Sequence, residues 1–226
     1  GGWTGGGALS ETGTNGDITD RSNLTMTGAA TFITGVAGSN IVLDSSGNAF
    51  SNSVEMRADD GSEAFGNITF VDSAGIDFAT SAGSNGDLYI NSSTDGTVGG
   101  NLSVTATTGN ITDTVALAIS GTSSFTTSAT NGTIALNTPA ALSGAVTLNT
   151  TGASGNATID NGTTALNIAA STKIEERRVG KDVDLGGRRI IKKTTHSPPP
   201  PLLHPPPHTV LPSSDNHSHI ADSATA

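Results

Sequence analysis

The sequence predicts an all-β protein, a right-handed parallel β-helix, from three observations. Apolar residues come in pairs two positions apart, turn-forming residues separate the pairs at near-even intervals, and part of the pattern recurs later in the chain. Two apolar side chains two residues apart share one face of a strand, whereas a helix would space them three or four apart. Gly, Asn, Asp, Ser and Thr between the pairs leave no room for a helix of ordinary length.

Taken in order, residues 1–15 are rich in Gly and Thr and carry Trp3 with little to pack against, which predicts a frayed or incomplete first turn. From Leu24 the pairs run Leu24-x-Met26, Ile41-x-Leu43, Val54-x-Met56, Ile68-x-Phe70, Ile76-x-Phe78, Leu88-x-Ile90 and Leu102-x-Val104. They continue as Leu117-x-Ile119, Ile134-x-Leu136, Val146-x-Leu148 and Leu166-x-Ile168. Most neighbouring pairs lie 8 to 17 residues apart, which is strand spacing. A sandwich would need hairpins and partners distant in sequence. A solenoid stacks each rung on the one before, so a repeated unit suits it. Rungs of roughly 20–25 residues would give residues 16–172 about six to eight turns.

The repeat is specific. Shifted by 93 residues, Gly16, Ile18, Thr19, Asp20, Leu24, Gly28, Phe32, Thr34, Ile41 and Leu43 meet identical residues at Gly109, Ile111, Thr112, Asp113, Leu117, Gly121, Phe125, Thr127, Ile134 and Leu136. Ten identities in 28 positions, several of them apolar, exceed shared composition. The expectation is that Leu24, Phe32, Ile41, Leu43, Leu117, Phe125, Ile134 and Leu136 point inward, and that equivalent residues occupy equivalent places in their rungs. A second echo joins Leu88–Thr94 to Leu166–Thr172, and where Val-Gly-Gly-Asn-Leu should follow, Lys173-Ile174-Glu175-Glu176-Arg177-Arg178 stands instead.

Composition breaks at the same point. Residues 1–172 hold 2 Arg and 14 Asp/Glu, while residues 173–226 hold the other 8 Lys/Arg, all 5 His and 8 of the 9 Pro. The domains expected are therefore an N-terminal end over 1–15, a solenoid over 16–172 and a disordered tail over 173–226. So acidic a solenoid repels phosphates, which excludes nucleic acid as its partner. Without cysteine there is neither a disulfide framework nor a zinc-thiolate site. No apolar run approaches the roughly 18–20 residues of a membrane span, so membrane attachment would come only through parts of a parent protein. The chain opens on Gly1-Gly2-Trp3 rather than Met, and we expect an interior piece of a longer protein.

The phrases GNITD, TNGTIAL, DNGTTALNIAAST and VGGNLSVTATTGNIT resemble the β-strand-repeat regions of large bacterial exoproteins, among them filamentous-haemagglutinin-like adhesins and autotransporter passengers. The resemblance covers residues 16–172. It implies a secreted or cell-surface β-helix used as a stalk or adhesive surface, and carries over no functional residue. Residues 173–193, KIEERRVGKDVDLGGRRIIKK, resemble instead the translation of a short-read sequencing adapter. The Pro-rich stretch after them would otherwise read as a polyproline II stalk.

Residues that could carry chemistry are few. His196, His204, His208, His217 and His219 lie in the tail with no spacing that fixes a metal geometry. Asp17, Asp20, Asp44, Asp59, Asp60, Asp72, Asp77, Asp87, Asp95, Asp113 and Asp160 could bind calcium at turns, but the glycine-aspartate nonapeptide is absent and turn Asp usually caps its own backbone. A glycosidase or lyase needs clustered carboxylates or a carboxylate with a cation. Arg21 and Arg57 are the only cations before the tail, and Asp59, Asp60 and Glu63 read as a solvated loop. Asn-x-Ser/Thr triplets are frequent, among them those that begin at Asn23, Asn67, Asn91, Asn101, Asn110, Asn131, Asn156 and Asn161, where the Asn read as turn formers tolerant of left-handed backbone. Hydroxyl-rich faces could bind ice, but no regular Thr-x-Thr ladder is present.

The expectation is thus a non-enzymatic structural or adhesive segment of a secreted or surface-anchored bacterial exoprotein, without catalytic, cofactor or metal residues. Its partners would be host or environmental surfaces, or a polysaccharide. A fragment of a β-helix carbohydrate-active enzyme and a surface-layer-type structural protein are the alternatives.

Overall fold

A computed structural model describes residues 3–59, 65–79, 86–90 and 97–172. The expectations placed on residues 173–226, and on Asp60, Glu63, Asn91 and Asp95, fall outside them. The described chain is a parallel β-solenoid. It winds through β1 (Trp3–Gly5), β2 (Leu9–Gly13) and β3 (Ile18–Thr19), then β4 (Leu24–Met26), β5 (Ala30–Thr34) and β6 (Ile41–Leu43), then β7 (Ala49–Phe50), β8 (Val54–Arg57) and β9 (Ile68–Asp72). After β10 (Ile76–Phe78) and β11 (Asp87–Ile90) come β12 (Thr97–Val98), β13 (Leu102–Ala106), β14 (Ile111–Asp113), β15 (Ala118–Ile119) and β16 (Ser123–Thr130). The path ends with β17 (Ile134–Leu136), β18 (Ala141–Leu142), β19 (Ala145–Thr151), β20 (Ala157–Ile159) and β21 (Asn167–Thr172). Strand pairing therefore reaches back to Trp3, which pairs with Leu24.

Two broad sheets carry the coil. One has eight strands in the order β2-β5-β8-β11-β10-β14-β17-β20, the other seven in the order β3-β6-β9-β13-β16-β19-β21. Two three-stranded sheets, β1-β4-β7 and β12-β15-β18, close the flanks. All the pairings are parallel. Regular rungs take 21 residues from Leu9 to Ala30 and 23 from Ile111 to Ile134. Between Ile68 and Leu102 the coil spends 34, because β10 and β11 both enter the eight-stranded sheet and β11 slots back between β8 and β10.

That long coil alters the geometry of the repeat. Before it the chain passes from a flank sheet to the eight-stranded and then the seven-stranded sheet; after it the order is flank, seven, eight. Strands in both broad sheets keep one direction throughout, so the two flank sheets must close opposite sides. Equivalent residues of the repeat accordingly lie on opposite faces. Phe32 sits in the eight-stranded sheet and Phe125 in the seven-stranded one, while Ile41 and Ile134 are exchanged the other way. The expectation of equivalent places is corrected. The copies are related by a half-turn about the coil axis, since 93 residues span an odd number of half-coils.

The core follows from alternation. In β5, β9 and β13 every second residue is buried, each large apolar side chain contributing about 1.5–3 kcal/mol on burial. Phe32 and Phe50 meet edge to face at 6.2 Å, Phe50 and Phe70 lie 5.3 Å apart, and Phe78 and Phe125 meet edge to face at 5.9 Å. Seven of the eight residues expected inside are buried. Leu24 is half-buried, and Met26 is the inward residue of β4. Leu24 borders, with Leu9, Ile18 and Phe32, a cavity of about 500 Å³ under the second coil, which leaves part of its side chain uncovered.

Candidate functional site

Most of the polar side chains singled out in the sequence serve the stacking of rungs. The residues that enter β3, β6, β9, β13 and β16 of the seven-stranded sheet form one column, Asp17, Asn40, Asn67, Asn101 and Thr122. Asp17 Oδ1 accepts the Asn40 N–H at 2.8 Å, Asn40 Oδ1 the Asn67 N–H at 2.8 Å, Asn67 Oδ1 the Asn101 N–H at 2.8 Å and Asn101 Oδ1 the Thr122 N–H at 2.7 Å. Across the coil, Asn110 Oδ1 accepts the Thr133 N–H at 2.9 Å, the half-turn counterpart of the first step. These Asn are not the left-handed turn formers expected. Among the described residues only Asn131 (φ 63°) is a non-Gly residue in that region. Asn40, Asn67, Asn101 and Asn110 accept a backbone N–H that the corner would leave without a partner.

Glycine precedes four of the five ladder residues (Ser39 precedes Asn40), and for a different reason. A Cβ on Gly100 would stand 2.3 Å from the Gly66 carbonyl oxygen, and one on Gly144 would stand 2.1 Å from that of Gly121. The rungs meet here backbone to backbone, and only hydrogen fits.

The acidic residues are employed similarly. Asp20 accepts the backbone N–H groups of Asp44 and Ser45, both at 3.2 Å, and its repeat partner Asp113 accepts those of Asn137 and Thr138. Burial raises the Asp113 carboxyl above its ordinary pKa, and the charge of Asp77 adds to the rise. Asp72 is buried and accepts the Phe50 N–H at 3.0 Å, which occupies the edge of β7 where its sheet ends; burial pushes its pKa up as well. At the end of the other flank sheet Asn161 does the same for β18, its Oδ1 accepting the Leu142 N–H at 2.8 Å and its Nδ2 donating to the Leu142 carbonyl at 3.2 Å. Asp160 Oδ1 accepts the Gly162 N–H at 2.8 Å. Asp59 is buried and Asp44 exposed. Among the described residues no group of three His, Cys, Asp or Glu is placed to hold a metal ion.

The outward faces of the two broad sheets differ in charge. On the eight-stranded sheet, register brings Thr31, Glu55 and Tyr89 into one column and Asp87, Asp77 and Thr112 into another. Asp77 and Asp87 stand directly opposite on neighbouring strands, a repulsive arrangement, and the Thr112 hydroxyl donates to Asp77 at 2.7 Å. Arg57 faces outward on the same sheet. On the seven-stranded sheet one column reads Thr19, Val42, Thr69, Ser103, Ser124, Thr147 and the next Val71, Thr105, Thr126, Asn149. Neither column holds an ionisable residue. No signal in the raw sequence separated these faces, because face membership depends on which rung each strand joins.

A family model described as repeats of unknown function (DUF5649) matches residues 1–57 and 65–149, more than half of the chain. No curated protein and no solved structure matches.

Proposed function

As the chain belongs to the family of repeats of unknown function DUF5649, we propose that it is a non-enzymatic structural and adhesive segment of a secreted or surface-anchored bacterial exoprotein. One observation carries this reading: the ladder from Asp17 to Thr122 spans five rungs and spends its polar side chains on joining one rung to the next. Such a construction lengthens a rod and presents broad, repetitive faces. Contacts to a host or environmental surface would each be weak and would add through multivalency.

Beads coated with the full chain, passed over epithelial cell layers, glass and polysaccharide films, test the proposal. Retention above that of beads carrying an unrelated protein of the same net charge is the expected result. Absence of retention on every surface, or release of reducing sugar from any film, would reject it. The second outcome would favour a carbohydrate-active enzyme, for which the facing Asp77 and Asp87 carboxylates are the starting point. That activity should then vanish in Asp77→Asn.

A further inference from the structure

We propose that the outward face of the seven-stranded sheet is a docking surface for a neutral, solid polysaccharide. The inference rests on the adhesive reading above and assigns it a face and a partner chemistry. Charge selects the face. Residues 1–172 carry 14 acidic side chains, and the eight-stranded sheet shows Glu55, Asp77, Asp87 and Arg57 outward. The outward columns of the seven-stranded sheet show none from β9 to β19, the exposed Asp17 and Asp44 standing beside β3 and β6 at its first rungs. An anionic partner would meet the repulsion of the whole acidic coil, and a cationic one finds no countercharge here. A neutral occupant fits both facts.

Shape and desolvation narrow the choice. The outward side chains are short and of similar reach, mostly Thr and Ser with Val42, Val71 and Asn149, and those from β6 to β19 are half-buried against one another. No side chain longer than Asn stands in these two columns, so they suit a surface of low relief. Register repeats a hydroxyl about every 4.8 Å from Thr69 through Ser103 and Ser124 to Thr147, and on β13 and β16 a second one, Thr105 and Thr126, follows about 6.6 Å along the strand. Hydroxyls and methyls give up water at far lower cost than carboxylates, and each hydroxyl can donate and accept toward another hydroxyl. A flat, uncharged, periodic array of hydroxyls is what the surface of a packed neutral glycan offers in return.

The test mixes the full chain with microcrystalline cellulose and, separately, with soluble carboxymethyl cellulose, and measures protein left after the solid is spun down. Depletion by the solid should be insensitive to salt, since no charge is involved, and the anionic polymer should not compete. Ser103→Asp with Thr147→Asp places two charges in one column, two rungs apart, and should weaken binding at least about tenfold. Thr31→Asp with Thr158→Asp, on the other broad face, should leave it unchanged. If circular dichroism shows the first pair unfolded, Thr105→Ala with Thr126→Ala removes hydroxyls without adding charge and should weaken binding about threefold.

Several results would overturn the proposal. They are no depletion by the solid, equal loss in variants of both faces, thermal hysteresis without depletion (an ice-binding face), or self-association abolished by the Ser103/Thr147 pair (an interface between copies). A chain that fails on cellulose but still retains beads on cell layers overturns this inference and leaves the adhesive reading standing.

Discussion

At the scale of single residues, the positions least able to change are glycines and a carboxyl. Gly144→Ala would force a Cβ to 2.1 Å from a backbone carbonyl oxygen that two stacked rungs hold in place. We expect a loss of about 1–3 kcal/mol in urea unfolding. Gly7→Ala, with open space around its Cβ and no left-handed backbone, should be near neutral, so glycine content alone would not explain the difference. Asp72 provides a pH test. Its native pKa is raised by burial, so the folded chain holds this proton more tightly than the unfolded one. Its contribution therefore favours folding below the ordinary carboxylate range and is lost as pH rises through the raised native value. Asp72→Asn cannot ionise. The stability difference between variant and parent, read from urea midpoints between about pH 4 and pH 7, should move in the variant's favour as pH rises.

At the scale of elements, the corner ladder and the edge caps do the work that helix caps do elsewhere. Each ladder step serves a backbone N–H one rung away, so its loss should be local. In Asn67→Ala the Asn101 N–H loses its acceptor and should exchange with solvent faster, while the Asn40 N–H, served by Asp17, should not. Hydrogen exchange read by NMR checks this, with an overall cost of about 0.5–1.5 kcal/mol. The caps are more exposed to failure. Replacing Asn161 by Ala strips the Leu142 N–H and carbonyl of partners in a buried place, and should cost about 1–3 kcal/mol.

At the scale of the molecule, the solenoid is close to one-dimensional: each rung contacts chiefly the rung before and the rung after. Leu117 and Ile134 are both about 1% exposed. Leu117→Asp or Ile134→Asp would bury a charge without a partner, costing about 3–5 kcal/mol. Exchange protection should collapse first from β14 to β18, with β2, β5 and β8 retaining theirs longer. Uniform loss across the coil would mean that the stack folds as one cooperative block. The half-turn between the repeats belongs to this scale too. It moves the flank sheet from one side to the other, and it leaves the uncharged columns of the seven-stranded sheet continuous from β9 to β19.

The pattern of strands, the parallel stacking, the repeat and most of the inward residues could be read from the chain itself. They depend on local rules: alternation fixes which side chains share a face, and turn residues fix where a strand stops. The Gly-Asn dipeptides at Gly66-Asn67 and Gly100-Asn101 were visible, but as turns. Their actual duties, a carbonyl approach with no room for Cβ and an amide given to the next rung, involve residues 21 to 34 positions away. Leu24 differed because its burial depends on how completely the first coil covers it. Tertiary structure alone decided that β11 returns between β8 and β10, that the two copies of the repeat face opposite ways, and that Glu55, Asp77 and Asp87 come together on the outward face of the eight-stranded sheet. Each of these turns on rung length, and a change of about ten residues in one coil leaves every local signal intact while rotating all that follows by half a turn.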